Sequence, residues 1–339
     1  MQRGHQAFLI AGAATLWLTA AWHALAADSA AAANPPQRYA APRTPDGKPD
    51  LQGIWANNNA TPLERPKMLE GRALLTEQEV AALKQRYAEI FAGDGDAAFG
   101  DSIFEAVLSD IQKYKPTTFD VQTGNYNAFW LVERDFDNRT SLITDPPDGR
   151  MPPLLPQAGS RQMVAYPTQS ADGPEDRGLT ERCITFGVPD VLAGYNSYYQ
   201  IVQTPDAVVL HAEKIHDARI IPLDARPHAP SSIRTWMGDS RGRWEGDTLV
   251  VETVNLRRSF LIASDELKLI ERFSRVGPNT LHYAITVDDP QTWTRPWTFM
   301  IPLRRTDQAI YEYACHEGNL GLAGILSGAR AEERATARR

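Results

Sequence analysis

Beyond Leu25 the chain has no apolar run of the roughly 20 residues that a membrane-spanning helix requires. Stable membrane insertion of the mature protein is therefore not expected. Basic residues are not in excess: Lys and Arg number 35 against 42 Asp and Glu, for a formal net charge of -7. Without a basic stripe to track a phosphate backbone, nucleic acid is not an expected partner. No glycine-rich phosphate loop follows a strand, so the sequence gives no support for a nucleotide cofactor, and none of any kind is expected. No spacing of His, Cys, Asp or Glu matches a zinc signature. Glu213 and His216 lie three apart, and His216-Asp217 and His316-Glu317 are adjacent pairs. On a strand neither spacing converges on an ion, so no metal is expected. Cysteine is scarce, with only Cys183 and Cys315 present.

What is present begins with a secretory signal pattern. Arg3 and His5 form a short basic start, Phe8 to Leu25 is apolar, and Ala24-Leu25-Ala26 fits the small-x-small cleavage rule. Cleavage before Ala27 implies a periplasmic or secreted protein of roughly 310 residues, enough for a substantial core. In an oxidising compartment, Cys183 and Cys315 are expected to form a disulfide. Such a bond would contribute about 4–5 kcal/mol by closing a long loop. The alternatives are a reactive thiol or two buried free thiols.

Residues 27–50 are Ala-, Pro- and polar-rich and read as a flexible lead-in. Residues 51–165 read as a helical and loop-rich arm, entered at Leu51-Gln-Gly-Ile-Trp55. A helix begins at Thr76, where Thr76 and Glu79 make a capping box and Leu75 and Val80 a hydrophobic staple. Val80, Leu83, Tyr87, Ile90 and Phe91 then recur at helical spacing, with Gly93 as a stop. A second helix is expected from Asp101 or Ser102 to before Pro116. From Phe119 to Ala193 the chain is punctuated by Pro and Gly, with short strands such as Ser141–Thr144.

Residues 166–328 carry the strand pattern. A hairpin is expected from Tyr198–Gln203 to a long strand at Ala207–Ile221, and Arg243–Asp247 reads as a turn leading into a strand at Thr248–Val254. Two more hairpins join Leu267–Arg275 to Thr280–Asp288 and Trp297–Leu303 to Ala309–His316. About eight strands follow one another with no helix for a parallel crossover. The expected fold is mainly β: an antiparallel, lipocalin-like barrel, or alternatively a β-sandwich, packed by the N-terminal arm. The tail 329–339 is charged and expected to be disordered.

Strand alternation sorts the chemistry-bearing residues by face. On an unbroken Ala207–Ile221 strand, Val208, Leu210, Ala212, Lys214 and His216 share one side. Glu213, Asp217 and Arg219 lie on the other. Glu271 falls in the apolar stripe of Leu267, Leu269 and Phe273, where a carboxylate must be paired or take up a proton. Its expected structural partners are Arg272, Arg234 or Arg295. The proposed catalytic set is His216 or His316 as proton carrier, Asp217 or Glu271 as its carboxylate partner, and Arg219 as anion stabiliser. Tyr195, Tyr199, Trp236 and Glu213 are expected to bind substrate. Tyr198, Trp244, Trp293 and Trp297 belong to the same aromatic-rich half, where core packing is the simpler role. Gly238-Asp-Ser240-Arg-Gly242 has the spacing of a nucleophile elbow, but a strand rather than a helix follows it, so a turn is expected there.

Three strings carry a resemblance: Arg43-Thr-Pro-Asp-Gly-Lys-Pro-Asp-Leu51, Gly238-Asp-Ser-Arg-Gly-Arg-Trp-Glu-Gly-Asp-Thr-Leu-Val-Val-Glu-Thr253 and Tyr311-Glu-Tyr-Ala-Cys-His-Glu-Gly-Asn319. Over residues 42–329 the chain resembles an uncharacterised family of secreted bacterial proteins. That resemblance implies export and carries no activity or catalytic residue. The residues themselves point to an exported enzyme. It would act on a small, partly apolar or aromatic molecule by side-chain acid–base chemistry of the lyase, dehydratase, isomerase or cyclase type. The alternative is a non-catalytic small-molecule binding protein.

Overall fold

Alternation of apolar and polar side chains from Tyr198 onward produces antiparallel strands. The computed structural model describes residues 39–90, 104, 134–159, 171–190, 193–257 and 262–338. The strands are β1 (Gly53–Ala56), β2 (Ile143–Asp145), β3 (Tyr198–Gln203), β4 (Ala207–Ala212), β5 (Ala218–Pro222), β6 (Asp239–Glu245), β7 (Thr248–Val254), β8 (Lys268–Gly277), β9 (Thr280–Asp288) and β10 (Trp297–Thr306). The helices are α1 (Glu77–Ile90) and α2 (Leu320–Thr336). The expected leader lies outside the described residues. So does the second expected helix, apart from Phe104.

All ten strands join one antiparallel sheet in the order β5-β4-β3-β1-β10-β9-β8-β7-β6, with β2 also paired to β10. The sheet is not closed by backbone pairing. Its edges, β5 and β6, meet only through side chains among the described residues. A Cβ added at Gly242 in β6 would lie 2.7 Å from Leu223 Cδ2, just after β5, and 2.9 Å from Ile221 Cγ2. One face of the sheet holds the main core. Leu249 and Val251, Leu269 and Phe273, Leu281 and Ile285, and Phe299 and Ile301 are all buried. Each such side chain contributes roughly 1.5–3 kcal/mol when fully removed from water. Phe273 and Tyr283, paired across β8 and β9, stack with ring centroids 4.4 Å apart.

The capping box forms as the sequence suggests. The Thr76 hydroxyl accepts from the Glu79 amide, and Glu79 Oε2 accepts from the Thr76 amide. A hydrogen bond from Arg72, with the Thr76 amide adding to it, lowers the Glu79 pKa to about 2. Leu83 then buries against Leu75, Phe104 and Phe136 in a second, smaller core.

Four expectations change. The strand expected over Ala207–Ile221 breaks at 213–217 and folds back, so Leu210 pairs with Arg219 and Val208 with Ile221. Arg219 therefore shares the face of Leu210, opposite to the unbroken-strand reading. Ala309–His316 is not a strand, and β1 from the N-terminal arm takes the place beside β10 instead. Gly238–Gly242 is not a loop, since Asp239 opens β6 and pairs with Val254 of β7. The tail is helical through Thr336, with Asn319 Oδ1 capping it by accepting from the Leu322 amide.

Candidate active site

The site is built on the break between β4 and β5. The backbone reverses through Ile215 (φ 54°) and His216 (φ 56°), both in the left-handed region. A β-branched residue there is a genuine outlier, and such strain costs on the order of 1–3 kcal/mol per residue. The turn carries Lys214 into the core, where it is 1% exposed. Its Nζ donates to Asp190 Oδ2 at 2.8 Å and sits 5.1 Å from the centre of the Phe186 ring. Burial pulls the Lys214 pKa down, and the Asp190 charge opposes this without restoring it.

Lys214 is in the wall of a half-open cleft together with Phe186, Val188, Tyr199, Asp217 and Arg219. Its free volume is about 20 Å³, room for about one water. Asp217 ends the strained turn. Its Oδ2 accepts from the Thr185 hydroxyl at 2.6 Å and the Phe186 amide at 3.3 Å. Its Oδ1 makes no hydrogen bond among the described residues. Burial raises the Asp217 pKa, and the nearby Asp190 charge adds to the rise against the two hydrogen bonds. The Tyr199 hydroxyl donates to the Asp190 carbonyl at 2.9 Å and so ties β3 to the segment holding that carboxylate.

Behind the cleft, Arg219 grips Glu271 with two bonds of 2.6 and 2.7 Å. Glu271, wholly buried, also accepts from Thr253 Oγ1 at 3.0 Å and from the Tyr283 hydroxyl. Burial would push its pKa up, but Arg219 and these donors outweigh that and hold it low. The sequence called for a buried pairing of Glu271, and one exists. The partner is Arg219 from β5 rather than Arg272, Arg234 or Arg295, because the folded-back strand turns Arg219 to the face of Leu210 and Glu271.

The segment after β10 crosses the same turn. The Tyr311 amide donates to Glu213 Oε1 at 3.3 Å, and the Tyr313 amide donates to His216 Nε2 at 2.9 Å. The Tyr313 ring meets Phe186 and Tyr195 edge-on, with centroids 6.1 and 6.4 Å away. Cys183 and Cys315 are disulfide-bonded, with Cα atoms 5.7 Å apart. This strap is thus pinned at both ends of the turn and at the cleft wall.

Of the expected site residues, Asp217, Arg219 and Tyr199 line the cleft and Glu271 backs it. His216 and His316 do not reach it. His216 is exposed and engaged by the strap, and His316 is exposed beyond the disulfide. Glu213 is buried outside the cleft lining, and its Oε2 has no hydrogen-bond partner among the described residues. Tyr195 packs on Tyr313, and Trp236 lies under the Arg257 guanidinium, 4.9 Å away. Lys214 and Asp190 were missed. The available signal was a lysine continuing the apolar alternation of Val208, Leu210 and Ala212. Nothing in the local sequence marks Asp190 as its partner.

Fold and cleft together define an antiparallel β-sheet protein with one disulfide, in which buried ionisable groups converge at a strained strand break. No protein-family model, curated protein or solved structure matches the chain. No helix among the described residues is long and apolar enough to cross a membrane.

Proposed function

We propose that the protein is an exported enzyme, periplasmic or secreted, that transforms a small, partly apolar molecule by side-chain acid–base chemistry. The lyase, dehydratase, isomerase and cyclase types all suit such a site. In this reading the chain belongs to the family of secreted bacterial proteins that its three strings resemble. Its curled sheet acts as a lipocalin-like container closed by side chains. The supporting observation is Asp217, a carboxyl whose burial favours the protonated form, held by one oxygen and open at the other. A carboxyl group so tuned serves as a general acid nearer to neutral pH than a surface aspartate. Lys214, whose pKa burial pulls down, and its hydrogen-bonded partner Asp190 supply a second set of proton carriers in the cleft, the arrangement that separates acid from base.

The free volume of about 20 Å³ is far below the roughly 300 Å³ of a small-molecule site. Substrate entry therefore requires Phe186 and the strap resting on it to move. The competing reading, a binding protein without turnover, draws on the Arg219–Glu271 pair, whose mutual saturation leaves less polarity for catalysis. Mass spectrometry of small molecules retained by purified protein, repeated over time, separates the two. The enzyme reading expects the retained molecule to change, and to stop changing in Asp217→Asn while still being bound. Conversion that survives Asp217→Asn rejects Asp217 as the acid. A molecule that is held but never altered leaves the binding reading in place.

A further inference from the structure

We propose that Lys214 is a covalent attachment point, capturing an aldehyde or ketone substrate as a Schiff base in the Asp190–Asp217 cleft. This rests on the acid–base reading of the same cleft and names the substrate class for it.

The first argument is cost. Burying a lysine, even a paired one, carries a large desolvation cost, and an apolar side chain of similar volume would fill the place without it. The chain also holds Ile215 and His216 in the left-handed region to bring Lys214 inward. Strain of that kind gathers at functional sites. The second argument is position. Nζ lies in a cleft that it shares with Asp190, Asp217 and Arg219 and whose apolar walls are Phe186, Val188, Leu210 and Met237. Those apolar walls suit the carbon skeleton of a carbonyl compound. The third is the supply of proton carriers. Asp190 is 2.8 Å from Nζ, and Asp217, three residues along the same turn, has an unengaged oxygen. Burial already shifts Lys214 toward the neutral amine that attacks carbonyls.

The step balances without an oxidant. Asp190 takes one proton from the ammonium group. The freed Nζ pair forms a bond to the carbonyl carbon as the C=O pair moves to oxygen, and that oxygen takes the Asp217 proton. Asp217 removes a second proton from nitrogen and returns it to the hydroxyl, which leaves as water while C=N forms. One ammonium proton thus stays on Asp190, one leaves in the water beside the proton first held by Asp217, and the third remains on the protonated Schiff base, with Asp217 now ionised.

The test treats the intact protein with propanal or acetone in the presence of cyanoborohydride, then maps the reduced adducts by peptide mass spectrometry. The expected result is labelling of Lys214 about tenfold faster than of the surface lysines Lys67, Lys84 and Lys268, from its larger neutral fraction. In Asp190→Asn, which removes the charge that holds the ammonium form, labelling at Lys214 should rise further relative to those same internal references. Lys214 that stays unlabelled, or labels no faster than the surface lysines, overturns the proposal. The wild-type map alone decides this. If Lys214 is unlabelled while Asp217→Asn still stops conversion of a retained molecule, the covalent inference fails and the acid–base reading stands. If Lys214 labels but Asp217→Asn converts normally, the acid assignment fails alone.

Discussion

Glu271 shows how a single residue is read correctly in kind and wrongly in partner. Its place in an apolar stripe requires compensation for the buried charge, and the compensation is a bidentate arginine. Removing one member of such a pair strands the other. Glu271→Gln should therefore cost about 3–5 kcal/mol in urea unfolding. A loss below about 1 kcal/mol would mean that Arg219 is rehydrated in the native state. The pH dependence follows from the lowered pKa. The unfolded chain holds the Glu271 proton more tightly, so the stabilisation is fully present above the ordinary carboxylate range. It is lost as pH falls through the lower native value. The wild-type advantage over Glu271→Gln should shrink on acidification and be flat from pH about 6 upward.

At the scale of elements, the decisive feature is the break at 213–217. Period-two reasoning treats Ala207–Ile221 as continuous and assigns every residue after Ala212 to a face by parity. One left-handed turn resets that parity, which is why Arg219 was placed on the wrong side. By the same parity His216 shares the side of Leu210, whereas the turn leaves it exposed. No glycine, proline or asparagine marks the turn, so the residues give no local warning. The hairpin at 277–280 and the capped start of α1 carry such markers, and both form as read. The two glycines of the elbow-like pattern have separate structural reasons. Gly238 adopts φ 68° entering β6, and Gly242 lets the sheet edges approach. Gly242→Ala should cost about 1–3 kcal/mol by overpacking Leu223 and Ile221, measured by thermal or urea melts. An unchanged midpoint would show that β5 and β6 are free to part.

For the whole molecule, the disulfide and the strap matter together. The bond spans a sequence separation of 132. A loop of that size stabilises by about 5 kcal/mol on chain-entropy grounds. The Cys183→Ser, Cys315→Ser double variant should lose most of this. Hydrogen exchange should rise first at Tyr311 and Tyr313, whose amides are held by side chains rather than by a sheet ladder. Equal protection in the two proteins would show that the strap needs no tether.

Composition, the signal-like start, two cysteines and strand alternation were enough to predict an exported, antiparallel β-protein with one disulfide. Of these, the antiparallel sheet and the disulfide are present in the structure. They were legible because propensity, periodicity and redox chemistry act over a few residues or through composition alone. Tertiary structure alone decided that Lys214 meets Asp190 and that Arg219 meets Glu271. It also decided that the sheet ends in two edges touching by side chains. Those contacts depend on how one irregular turn reorients the following strand and on which distant segment then comes within 3 Å of a buried charge. No short-range pattern encodes either.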